Sequence, residues 1–212
     1  MKKNLLYSAI AITLIFLGAS AFKTVSSKKE NTIVAAKLPA GKWVIDKFHS
    51  NVKFTITHLV VSEVEGTFKL FDGSMESNKP DYSDAKISFT VDINSVNTDN
   101  DYRDKHLKSD DFFNGEKYPT MKFESSSFTP LGGNKYKLAG NLSIRDVTKP
   151  VTFDVTYGGS VNAMGGRRLG FKAKTTINRF DYNLKWDKAT EAGGLIVSKE
   201  VDITVNVELK NN

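Results

Sequence analysis

The chain holds three histidines and no cysteine, which leaves few ways to build a metal centre or a nucleophilic site. His49 and His58 stand nine positions apart on one extended run, about 30 Å at the rise of a strand, so they cannot share a metal ion. His106 falls beside Arg103 and Asp104. A metal or catalytic site would require this group to meet His58 in space, and no spacing demands it. The alternative is structural: an Arg103–Asp104 ion pair, with His106 capping the end of a helix. The neighbouring carboxylates of Asp110 and Asp111 read as turn caps and solvated charge rather than an acid/base pair. No G-x-S-x-G, P-loop or G-x-G-x-x-G is present. The absence of cysteine excludes thiol chemistry, disulfides and Cys-ligated metals. These residues predict a protein that is not an enzyme and needs no metal or cofactor.

The elements that carry these side chains alternate with period two. Val52, Phe54, Ile56 and His58 share one face of a run. Ile87, Phe89, Val91 and Ile93 share another, as do Tyr136 to Ile144, Val151 to Tyr157, and Val201 to Leu209 taken at every second residue. Shorter runs at 43–46, 63–71, 121–127 and 168–178 bring the count to eight or nine strands. Asp72-Gly73, Gly132-Gly133-Asn134 and Gly158-Gly159 serve as turn signals. One apolar and one polar face over sequential strands means an antiparallel sheet, which must close into a barrel or split into a sandwich. Only residues 100–109, after Asp99 or Asn100 as a cap, break the pattern as a helix. The alternating runs cover about five to nine residues, short of the ~9–11 that cross a bilayer, which argues for a barrel with its apolar face inward.

The 212 residues suit one domain and a preceding segment. Lys2 and Lys3, an apolar stretch from Leu5 to Leu17, and Ala19-Ser20-Ala21 form the pattern of a secretory signal over residues 1–21. The apolar run reaches Phe22, so an uncleaved anchor that tethers the protein to a membrane is the alternative. Residues 22–41 form a basic linker. Six of the 30 Lys and Arg lie before residue 42, faced only by Glu30, so residues 42–212 carry a net charge of about +1 against +6 for the whole chain. The domain thus lacks the basic surface that nucleic-acid binding needs.

The aromatic load on the inward face stands out. Phe54, Phe68, Phe89, Phe123, Phe153 and Phe171, among 14 Phe, fall on inward strand positions. Such residues either fill a small barrel or line an apolar cavity. Gly66 and Gly140, also inward, favour a cavity slightly by leaving room.

Several fragments, taken in order, resemble the YceI-like family. These are Ile45-Asp46, His49-Ser50, Val52-x-Phe54-x-Ile56, His58-Leu59 and Val64-x-Gly66-x-Phe68. The middle of the chain adds Asp92-Ile93-x-Ser95-Val96-x-Thr98, Arg103-Asp104-x-His106-Leu107, Asp111-Phe112-Phe113 and Tyr118-Pro119. Phe123-x-Ser125 and the block from Leu138 to Val151 complete the set. The similarity spans about residues 43–209. Two glycines of the family pattern are replaced, by Asp146 after Arg145 and by Asn183 in Arg179-Phe180-Asp181-Tyr182-Asn183, which puts turn geometry in question. Asn tolerates the left-handed conformation. The resemblance implies an all-β, extended eight-stranded antiparallel barrel, lipocalin-like in shape, with one short helical excursion. It implies a periplasmic or secreted protein whose 42–212 barrel holds a long isoprenoid, quinone-like, or another lipid chain. No catalysis and no metal are implied.

The expected contacts of that chain are Phe54, Ile56, Phe68, Phe89, Val91, Phe112, Phe113, Phe123, Leu142, Phe153 and Phe171. A structural or interaction barrel with a filled core and no ligand is the alternative. The edge strands leave a homodimer open. The excursion at 97–119 carries Tyr102, Leu107, Phe112, Phe113 and Tyr118, and is expected to pack over an open end of the barrel as a gate.

Overall fold

The computed structural model describes residues 41–189 and 195–211. The expected leader and the linker up to residue 40 lie outside them, while Gly41, placed at the end of the linker, already opens the first strand.

Eleven strands and one helix follow in order: β1 (Gly41–Ile45), β2 (Asn51–His58), β3 (Ser62–Phe68), β4 (Phe71–Ser77), β5 (Lys86–Asp92), β6 (Val96–Asn97), α1 (Asp101–Lys108), β7 (Thr120–Gly132), β8 (Lys135–Ile144), β9 (Val147–Ala163), β10 (Gly166–Asn178) and β11 (Glu200–Asn211). All pairings are antiparallel. Eight strands close a ring in the order β1-β4-β5-β7-β8-β9-β10-β11, with β11 returning to β1. The fold is therefore the expected eight-stranded antiparallel barrel with a single helix. The remaining strands, β2, β3 and β6, extend the sheet from β11 past the ring.

Strand β11 makes this possible by forking. Asp202–Asn206 pair with Thr55–Asn51 of β2, whereas Leu209–Asn211 pair with Ile45–Trp43 of β1. Between β1 and β2 the chain turns through Lys47–His49, where the Asp46 carboxylate accepts from the Phe48 amide. Asp92 caps the equivalent break between β5 and β6 in the same way, accepting from the Asn94 amide. Arg168 Nη1 reaches Asp46 at 2.7 Å and Glu208 at 3.4 Å, and His49 Nδ1 lies 3.3 Å from Asp46. Burial works to raise the Asp46 pKa, but its bonds to His49, Arg168 and the Phe48 amide outweigh that and hold it below the ordinary value. The guanidinium sits among Asp46, His49 and Glu208, so this cluster reads as an ionic staple on the fork.

Three expectations change. Asp72-Gly73 and Gly158-Gly159 are not turns: the first lies inside β4 and the second inside β9. The register with β10 slips at that second site, and Gly159 takes φ +112°. A bulge absorbs the glycines and lets the strand run on. Strands of 13, 17, 13 and 12 residues result for β7, β9, β10 and β11, so short strands do not argue against a membrane barrel. The faces do. Lys172, Lys174, Asp202, Thr204 and Asn206 alternate with the inward residues of β10 and β11 and pair across that seam. An outer face of this kind has no apolar band for lipid.

The third change concerns the inward glycines. A Cβ at Gly66 would collide with the ring of Phe54, its register partner. One at Gly140 would meet the Phe123 ring and the Glu124 carbonyl. The space is filled by aromatic rings lying over the glycines, not left vacant. Because a backbone carbonyl cannot step aside, Gly140→Ala is expected to destabilise the domain by about 1–3 kcal/mol. The check is the urea midpoint, and an unchanged midpoint would contradict the packing described.

The candidate ligand-binding interior

Two cavities occupy the inside of the sheet. A chamber of about 150 Å³ lies within the closed ring, lined by residues of β1, β2, β4, β5 and β7 to β11. A second, of about 270 Å³, lies between β2, β3, α1 and the side chains of Leu184, Trp186, Ile196 and Val197. Val52, Met121, Ile144 and Ile203 line both. The two chambers therefore adjoin, with these four side chains as a collar between them. Together they fall within the range of small-molecule sites, about 300–1,000 Å³.

All eleven residues expected on the ligand line one chamber or the other. Phe89, Val91, Phe123, Leu142, Phe153 and Phe171 face the barrel chamber. Phe54, Ile56, Phe68, Phe112 and Phe113 face the helix-side chamber. The rings brace one another: Phe123 meets Phe153 edge-on at 5.4 Å, and Phe68 meets Phe113 edge-on at 5.9 Å. Such contacts are worth about 0.5–1.5 kcal/mol beyond burial and keep the walls from collapsing. Phe171, on the barrel chamber, packs against Tyr82, which is fully buried in the β4–β5 connection.

The excursion is a cover in part. Asn100 caps α1 by accepting from the Arg103 amide. Leu107, Phe112 and Phe113 line the helix-side chamber, but Tyr102 is 85 % exposed and takes no part. Tyr118 lies outside the chamber lining, beneath the Arg145 guanidinium at 5.5 Å. Arg103 and Asp104 do not pair directly. Asp104 Oδ1 accepts from the Thr98 amide and hydroxyl, and Arg103 donates to the Thr98 hydroxyl and carbonyl. Thr98 thus joins the two charges. Nor does the His106 ring cap the helix. It lies 2.8 Å from Asp111 and edge-on to Phe112 and Trp186, and Ser109 bonds the His106 carbonyl instead.

His58, Arg103 and His106 nonetheless meet around the helix-side chamber, which spacing alone did not require. Among the described residues the one group arranged to hold a cation is Asp46, His49 and Glu208, the staple that Arg168 already occupies.

Sequence reasoning missed Leu184, Trp186, Ile196 and Val197, which complete this chamber, and the residue that holds them. Arg179 is 2 % exposed and donates to the carbonyls of Leu184, Trp186, Val197 and Ser198. Burial pushes its pKa down from the ordinary value. Trp186, one of two tryptophans, and the apolar run Leu195-Ile196-Val197 were the available signals. In the turns of the two replaced glycines, Arg145 takes φ +56° and Asn183 takes φ +60°. Asn183 does so as expected, whereas in the other turn Arg145 rather than Asp146 adopts the left-handed conformation. Arg145 then clamps Asp110 and the Phe112 and Asn183 carbonyls.

A closed antiparallel barrel with an apolar interior defines a lipocalin-like class of protein. The YceI-like domain model matches residues 43–209, and the chain belongs to that family. It is 38 % identical over 168 residues to the UPF0312 protein SAB2563 of Staphylococcus aureus (strain bovine RF122 / ET3-1), covering 78 % of this chain and 95 % of that one. The YCEI protein of Campylobacter jejuni superposes with a TM-score of 0.64 at 31 % identity, over 74 % of this chain and 90 % of that one. BcnA of Burkholderia cenocepacia superposes with a TM-score of 0.66 at 26 % identity, over 77 % and 98 %. A polyisoprenoid binding domain from Saccharophagus degradans shares the fold, with a TM-score of 0.59 at 16 % identity over 80 % and 98 %.

Phe112 and Phe113 distinguish gate from core. Phe112→Ala with Phe113→Ala is expected to weaken lipid retention more than it lowers stability. If the pair serves only as core, losing each ring costs about 3–5 kcal/mol. Thermal melts and lipid loading on the same double variant decide between them: a large fall in melting temperature with normal loading per folded molecule would refute the gate.

Proposed function

We propose that this protein is an exported carrier or buffer that holds a long isoprenoid, quinone-like, or another lipid chain in the barrel interior. The observation that carries the reading is the pair of chambers with a shared collar and walls of apolar side chains. Water in such a space finds few partners, whereas each CH₂ brought into it gains about 0.8 kcal/mol. A long chain therefore binds with few polar contacts. The description of the Saccharophagus domain as polyisoprenoid-binding agrees in kind. The eleven wall residues are the contacts of the bound chain, and the protein acts by binding rather than by catalysis.

The leader at residues 1–21 supports export to the periplasm or beyond, with residues 22–40 as a tether to the barrel. No described helix is long and apolar enough to cross a membrane.

Native mass spectrometry of the full chain, expressed with its leader and purified without detergent, tests the function. We expect a bound apolar adduct that is removed by organic solvent and identified in the extract as a prenyl or acyl lipid. Repeated recovery of lipid-free protein would contradict the carrier.

A further inference from the structure

The basic residues that line the interior gather at one end. The helix-side chamber is lined by His58, Arg103, His106 and Arg179, with the exposed Lys53 of β2 only at its border, and by no carboxylate. The barrel chamber has Lys122 as its one ionisable lining residue. A chamber for a purely hydrocarbon ligand has no use for such a set.

Donor accounting shows which groups remain available. A guanidinium carries five N–H donors. Arg103 spends Nε and one hydrogen of Nη2 on Thr98, and its Nη1 has no partner among the described residues. The His58 ring has no hydrogen bond or ion pair among them either, although its strand end is fixed by a bridge to Val197 and by Ser62 bonding its carbonyl. Of the nearby acids, Asp187 acts on Arg179 from outside the chamber lining, and two others are engaged. Asp104 Oδ1 faces the Thr98 amide and hydroxyl, and Asp111 lies against His106. Arg179 adds a buried positive charge whose partners are carbonyl oxygens, with no carboxylate within ion-pair distance among the described residues. Away from bulk water these charges are weakly screened and favour negative charge in the space they line.

From these placements, and resting on the carrier reading, we propose that the helix-side chamber receives an anionic, oxygen-bearing head group, a carboxylate or phosphate, bound by Arg103 and His58, while the apolar tail passes the collar into the barrel chamber. Arg103 and His58 are then specificity-determining residues. Arg179 holds the chamber wall and contributes field rather than contact, and His106, paired to Asp111, is a wall residue.

Equilibrium binding of dodecanoate, dodecyl phosphate and dodecan-1-ol to the full chain, stripped of endogenous lipid, tests the proposal. Charge-assisted hydrogen bonds are worth roughly 1.5–3 kcal/mol, so at least one of the two anions should bind about tenfold or more tighter than the alcohol. The stronger anion identifies the source of the oxyanion. Arg103→Met should remove most of this preference while leaving the alcohol's affinity within about twofold, since the tail contacts are unchanged. His58→Phe, which does not touch Thr98, should lower the preference without affecting the fold and serves if Arg103→Met misfolds. Equal binding of all three probes would overturn the head-group assignment and leave the carrier intact, as would an anion preference unchanged in both variants. Failure of every probe to bind would overturn the carrier and the assignment with it.

Discussion

The structure depends on β11 being shared by two neighbours. Its C-terminal end closes the ring on β1, and its middle carries β2. A strand whose inward residues are Val201, Ile203, Val205, Val207 and Leu209 must cover that face along its whole length. The ring alone covers only one end. The other end is enclosed by β2, β3, the helix and the segment fixed by Arg179. This geometry produces two chambers rather than one. It also explains why Asp46, Arg168 and Glu208 meet at the kink: the backbone leaves β11 there, and the ion pairs with the Asp46–Glu208 backbone bond hold the fork shut.

The barrel was legible because its signal is periodic. Alternation at Val52–His58, Ile87–Ile93, Tyr136–Ile144 and Val201–Leu209 placed the same residues inward in sequence and structure. The single helix was equally legible, since Asn100 and a polar stretch without alternation mark its start. Nine of the eleven wall residues follow from that pattern, and Phe112 and Phe113 from the apolar side chains of the 97–119 excursion.

What stayed hidden has one cause: contacts between residues distant in sequence. The side chains over Gly66 and Gly140 come from Phe54 and Phe123, so the glycines themselves suggested room that does not exist. Thr98 intercepts Arg103 and Asp104, which adjacency in sequence had paired. Gly158-Gly159 looks like a turn by composition and becomes a bulge because β10 pairs with β9 before and after it, Phe171 with Tyr157 and Gly170 with Gly159. Leu184, Trp186, Ile196 and Val197 show no period, and one buried guanidinium bonding four carbonyls ties the two stretches that carry them.

A single extended chain that runs through both chambers has its affinity set by its length. Affinity measured across the straight-chain alcohols from octanol to hexadecanol tests it most directly. With every added CH₂ buried, worth about 0.8 kcal/mol, Kd should fall about fourfold per carbon until the chain fills the interior, and then level off. Affinity that does not change with chain length would contradict the account.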